Sequence, residues 1–174
     1  MTVNFGSSFE NWFASKENYD KTLNGQSVPD FNFMKVDIKT LPAEKKGEAY
    51  KIDVLNIAQS RIANYDSNNN GKMELSEYVK EQKAVYQKMF NEQVDMNISG
   101  MQDVFNNSFA NCDTNKDGSI DDKEVAAVFA YMDASGNDGT MDGKISYNAA
   151  LGTDWGNKDI TDVLSTYKKF IFGE

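Results

Sequence analysis

The chain reads as an all-α protein. Three features of its 174 residues point that way. Apolar residues recur at helical spacing through most long segments. No strand of useful length can be drawn. The segments are divided by short polar loops rich in Asp, Asn and Gly. At most, very short β pairing between loops is expected, around one shared core.

The helices follow in chain order. Ser7-x-x-Glu10 has the form of a capping box, opening a helix with an apolar face of Phe9, Trp12, Phe13, Tyr19 and Leu23. Asn24-Gly25 stops it, and residues 25–41 read as loop or extended chain. Pro42 suits a first helical position; Ile52, Leu55, Ala58 and Ile62 then recur at helical spacing as far as Tyr65. Beyond a polar gap, Leu75, Tyr78, Val79, Val85, Met89 and Phe90 form the next amphipathic face. Ser99-x-x-Gln102 opens a helix bearing Met101, Val104, Phe105 and Phe109. The short apolar run "EVAAVFAYM" follows, and a last helix covers 158–172. These elements predict a single domain, 1–174. Within it lie an aromatic N-terminal segment (1–42), helix-loop-helix units at 43–95 and 99–132, and a C-terminal part (133–174).

Composition narrows the function. A net charge of −9 argues against a nucleic-acid surface, which needs a basic stripe, and against docking to anionic lipid. Apolar residues at 40% can fill a core. No run approaches the roughly 18 apolar residues of a membrane span. With one cysteine, Cys112, no intrachain disulfide can form. The N-terminus lacks the basic start and apolar run of a secretory signal, so the expectation is a cytoplasmic protein. Histidine is absent, which removes the commonest general base and every Ser-His or Cys-His nucleophile pair. No acid/base pair stands outside the loops described next. No enzymatic role and no covalent cofactor are expected.

A short repeat carries the chemistry. "IANYD", "FANCD" and "FAYMD" each end an apolar helix in an aspartate, at Asp66, Asp113 and Asp133. Two of the loops that follow, "DSNNNGKMELSE" (66–77) and "DTNKDGSIDDKE" (113–124), fit D-x-[DN]-x-[DN]-G-x5-E. A hard cation such as calcium takes six to eight oxygen ligands at about 2.3–2.6 Å, and oxygens at alternate positions converge as the chain wraps around it. Glycine in sixth place permits the sharp turn. A backbone carbonyl serves in seventh place, so Lys72 and Ser119 need no special side chain. Glutamate in twelfth place opens the next helix and reaches back with both oxygens. Apolar eighth-place residues, Met73 and Ile120, can pack inward and pair with a neighbouring loop.

Over about 40 residues for each helix-loop-helix unit, the sequence resembles the EF-hand family of calcium-binding proteins. The resemblance implies two calcium sites. The first is Asp66, Asn68, Asn70, Lys72 (through its carbonyl), Glu74 and Glu77. The second is Asp113, Asn115, Asp117, Ser119 (through its carbonyl), Asp121 and Glu124. In this family the ninth-place acids, here Glu74 and Asp121, often act through a bound water. Magnesium is the competing ion, but the bidentate glutamates favour calcium. Acids stand at positions 1 and 12 of the first loop and at 1, 5 and 12 of the second, so the second is expected to bind more tightly.

Two further loops are degenerate. "DGTMDGKISYNA" supplies Asp138, Thr140, Asp142, Gly143 and Ile145 in the expected places, but Ala149 replaces the final glutamate. A start at Asp133 would need an insertion before Gly143. Near the N-terminus, Asp20, Thr22, Asn24 and Gly25 suggest another loop, with Ser27 in the apolar eighth place and Phe31 in the twelfth. No metal is assigned to either.

Three roles are open: a calcium sensor that exposes an apolar groove to a protein or peptide partner, a buffer of sarcoplasmic type that opens little, and a domain in which calcium is structural. The methionines 73, 89, 96, 101 and 132 would suit an adaptable groove or a plain core. Phe5, Phe9, Trp12 and Phe13 have the spacing of a helix that lies in such a groove. The sensor is the reading carried forward.

Overall fold

The computed structural model describes residues 31–32, 43–90, 100–134, 141, 144–145 and 158–173, with side chains described for 47–84, 100–134, 141 and 158–173. Within these residues the chain is mostly helical. In order come β1 (Phe31–Asn32), α1 (Ala43–Tyr65), β2 (Met73–Glu74), α2 (Leu75–Phe90), α3 (Met101–Cys112), β3 (Ser119–Ile120), α4 (Asp122–Ala134), β4 (Lys144–Ile145) and α5 (Thr161–Phe172). The strands form two antiparallel ribbons of two residues per strand, β2 with β3 and β1 with β4. No helix among the described residues is long and apolar enough to cross a membrane.

Helix α4 is the centre of the fold. Its sequence is apolar on every side, and Glu124 through Ala130, Met132 and Asp133 are all buried. A helix without a polar face needs cover all round. Helices α1 and α5 pack against it most extensively, and α3 completes the surround. Phe129 is fully buried, and Val54 of α1 and Leu164 of α5 close the same core. Burial of a side chain of this size contributes about 1.5–3 kcal/mol.

The buried stripe of α1 is Tyr50, Val54, Ile57, Ala58 and Ile62. This corrects the face read from sequence, because Ile52 is 51% exposed and Leu55 only half-buried. Ile52 lies two residues from both Tyr50 and Val54, more than half a turn away from their face. Leu75 and Val104, also expected on apolar faces, are each 37% exposed. The expected contributions of Val85, Met89 and Phe90 fall on side chains outside the described set.

Charge occupies some of the inward positions instead. Arg61 continues the α1 stripe and meets Glu81 of α2 in a bidentate ion pair, with Nε donating to Oε2 at 2.8 Å and a terminal nitrogen donating to Oε1. The two side chains are only 13% and 4% exposed. The guanidinium also lies 5.7 Å from the centre of the Phe129 ring. Beside this pair, Tyr78 packs edge-on against Phe109 at 5.7 Å, and its hydroxyl shares a hydrogen bond with Ser108. Cys112 belongs to the same core, where burial pushes its thiol up to about 12. That is the environment of a packing residue, since the thiolate is the reactive form.

Local signals at the helix ends hold in part. α3 begins at Met101 behind Gly100, whose φ is 88° and which provides no side-chain cap. Gln102 donates forward to Asn106 at 2.8 Å, and Ser99, read as the start of this helix, lies outside the described residues. α5 starts at Thr161, slightly later than expected, and ends at Gly173 with φ 76°. Of the N-terminal segment, including Phe5, Phe9, Trp12 and Phe13, only Phe31 and Asn32 are among the described residues.

Candidate metal-binding loops

The two loops that match in sequence share the bonds of their first, third and fifth places. Asp66, directly after α1, accepts from the N–H groups of Asn70 (3.0 Å) and Gly71 (2.8 Å). Asp113, directly after α3, accepts from Asp117 (3.0 Å) and Gly118 (2.9 Å). The third-place amides accept from the fifth-place N–H in both loops, at 3.1 Å for Asn68 and 3.0 Å for Asn115. The fifth-place side chains accept from the seventh-place N–H, Asn70 from Lys72 and Asp117 from Ser119, both at 2.9 Å. Each bond uses one lone pair of an oxygen and fixes its direction, leaving further acceptor capacity on the same groups.

The twelfth-place glutamates close the loops. Glu77 Oε1 accepts from the Ser67 N–H (2.8 Å) and hydroxyl (2.9 Å), while Oε2 accepts from the Glu74 N–H (3.0 Å). Glu124 Oε1 accepts from the Asn115 N–H (3.1 Å) and the Thr114 hydroxyl (3.0 Å), while Oε2 accepts from the Asp121 N–H (3.0 Å). Both carboxylates are therefore held across the loop from the first turn of a helix, and both are buried.

Backbone conformation follows the same register. The sixth-place glycines have φ of 77° (Gly71) and 89° (Gly118), a left-handed region that an L side chain resists by roughly 1–2 kcal/mol. Space is not the constraint, since an added Cβ would meet nothing within 4 Å at either glycine. The fourth-place residues, Asn69 and Lys116, are left-handed too, each with φ 57°. Asparagine tolerates that conformation; lysine does so less readily. Sequence reading missed the fourth place and the hydroxyls of Ser67 and Thr114 in second place. The shared Ser/Thr was the available signal for the latter.

The loops differ in charge and burial. Burial opposes ionisation of Glu77, but the N–H groups of Glu74 and Ser67 and the Ser67 hydroxyl outweigh it and hold the carboxyl below its ordinary range. At Glu124, only 1% exposed, burial wins and pushes the carboxyl up, although the N–H groups of Asp121 and Asn115 oppose it. In ninth place, Glu74 accepts from the amides of Asn68 (3.2 Å) and Asn70 (3.1 Å), whereas Asp121 accepts from the Glu124 N–H at 2.9 Å. The second loop thus combines more acid with deeper burial.

The ribbon β2–β3 places the loops back to back. Met73 pairs with Ile120 and Glu74 with Ser119, and both eighth-place side chains are buried. A cross-loop ion pair accompanies the ribbon: Lys72 donates to Asp117 Oδ2 at 2.9 Å.

Of the two degenerate loops the structure describes a second short ribbon. β1–β4 pairs Phe31 with Ile145 and Asn32 with Lys144. Ile145 holds eighth place in the loop read from Asp138, so Phe31 stands opposite an eighth-place residue, as Met73 does. Asp133 is no loop residue; it lies in the last turn of α4, fully buried, and accepts from the Tyr50 hydroxyl at 2.8 Å. Asp20, Thr22, Asn24, Gly25, Asp138, Thr140, Asp142 and Ala149 lie outside the described residues.

Among the described residues no three acidic or thiol side chains are grouped closely enough to hold a metal ion. The donor sets are mixed: Asn68 and Asn70 contribute amides to the first loop and Asn115 to the second. Every candidate side-chain donor is a carboxylate or amide oxygen, a chemistry suited to a hard cation. Comparisons with protein-family models, curated proteins and solved structures gave no match. The functional reading therefore stands on this chain's own residues.

Proposed function

We propose that the chain is a calcium-binding protein with two EF-hand-type sites, at 66–77 and 113–124, serving a calcium-dependent regulatory role. The observation that carries this reading is the duplicated hydrogen-bond network. Two loops of different sequence orient equivalent oxygens with equivalent backbone bonds. A polar turn that merely capped a helix would not need that duplication.

The residues for the first ion are Asp66, Asn68, Asn70, the Lys72 carbonyl, Glu74 and Glu77. Those for the second are Asp113, Asn115, Asp117, the Ser119 carbonyl, Asp121 and Glu124. A bound divalent ion would neutralise acids that otherwise repel, and so couples binding to loop order. Calcium is favoured over magnesium because a bidentate twelfth-place glutamate suits a larger, more flexible coordination sphere. The regulatory part of the reading draws on apolar surface left on α5, where Phe170 is 74% and Val163 40% exposed.

One observation favours a second reading, a buffer that opens little. The buried Arg61–Glu81 pair ties the helix entering the first loop to the helix leaving it. Calcium-dependent binding of an apolar dye separates the two. A sensor shows a several-fold rise in dye fluorescence on calcium addition, reversed by chelator. An unchanged signal at full calcium occupancy sinks the sensor reading and leaves the buffer.

A further inference from the structure

The cross-loop contact of Lys72 is not explained by ligation, for which only its carbonyl is needed. Its side chain crosses the ribbon and places Nζ 2.9 Å from Asp117 Oδ2, the fifth-place acid of the other loop. The other oxygen of Asp117 is occupied by Ser119, through its N–H at 2.9 Å and its hydroxyl at 2.7 Å. The arrangement runs one way only. Ser119, the residue matching Lys72, turns to Asp117 of its own loop, and the fifth place of the first loop is the neutral Asn70. The Asp121 and Glu124 carboxylates add to the field at the ammonium, after Asp117 itself. The side chains of Lys72 and Asp117 are 42% and 36% exposed, so the pair is open to exchange with an incoming ion.

Resting on the two-site reading above, we propose that Lys72 is a built-in counter-cation of the second loop. Its ammonium neutralises Asp117 until a divalent ion takes that carboxylate, and so sets the affinity of the 113–124 loop from the neighbouring one. A monovalent charge held on a ligand must be displaced or repelled when the divalent ion enters. Lys72 thus offsets part of the attraction that the extra acid of this loop creates. It also screens the acids from one another in the metal-free protein, where Asp113, Asp117, Asp121 and Glu124 would otherwise repel.

The test is calcium calorimetry on wild type, Lys72→Met, Asp117→Asn and the double variant, with nitrogen-detected NMR of the Lys72 ammonium. Lys72→Met is expected to tighten binding at 113–124 by about three- to tenfold at low salt, with the gain shrinking as salt rises. On the Asp117→Asn background the same change should do almost nothing. The ammonium signal should show a hydrogen-bonded group in the metal-free protein that is released as the second loop fills. Unaltered affinity in Lys72→Met, an equal gain with and without Asp117, or an ammonium signal indifferent to calcium overturns the role of Lys72 while leaving the two sites standing. Absence of calcium uptake by wild type overturns both.

Discussion

Glu124→Gln is expected to lower calcium affinity at the 113–124 loop on the order of a hundredfold, reducing the ions held per chain from two to one in calorimetry. The substitution keeps the size of the side chain and removes charge where charge is hardest to replace. Glu124 is 1% exposed and lies in the first turn of the central helix. Its two oxygens already hold both ends of the loop, at Asn115 and Asp121. Glutamine can keep the acceptor for one end, but its amide nitrogen faces a donor at the other. The metal-free protein should therefore lose only about 1–2 kcal/mol, since one hydrogen bond is spoiled while a buried charge is removed. An affinity within threefold of wild type would mean that Glu124 does not face the ion.

Arg61→Met should destabilise the metal-free protein by about 3–5 kcal/mol, read as a fall in urea midpoint without change of slope. The aliphatic stem is conserved, so the packing over Phe129 largely survives. What is lost is the partner of Glu81, a carboxylate that is 3% exposed. Gln82 still donates to Glu81 Oε1 at 3.0 Å, but a neutral amide does not replace a bidentate guanidinium. The double variant Arg61→Met, Glu81→Met should recover most of the loss, because an apolar pair needs no counter-charge. A single variant as stable as wild type would show that the pair is solvated. A double variant no better than the single would show that shape, not charge, governs the site.

How much of this could be read from the sequence follows from how local each signal is. The loops were legible because their pattern is a local code: a left-handed glycine at Gly71 and Gly118, oxygens at alternate positions, and a glutamate one turn into the next helix. The pairing of Met73 with Ile120 was legible for the same reason, since an apolar residue inside a polar loop needs somewhere to go. The existence of the five described helices followed from periodicity, yet faces were misread where an aliphatic residue is exposed, as at Ile52, Leu75 and Val104. Periodicity weighs apolar residues alone. It therefore passed over Arg61 and Glu81, which are buried because each supplies the other's charge across two helices. The Lys72–Asp117 contact was invisible for a related reason, as it depends on ribbon register and joins residues from different loops. The pairing of Phe31 with Ile145 was not legible, because it is fixed by its partner strand, not by its neighbours in the chain.

A calorimetric calcium titration of the metal-free chain, repeated on Glu77→Gln to isolate the second loop, bears most directly on the two-site reading. Two ions should bind per chain, with the tighter site surviving in Glu77→Gln and thus lying at 113–124. Absence of calcium uptake, or a tighter site that disappears with Glu77, would contradict it.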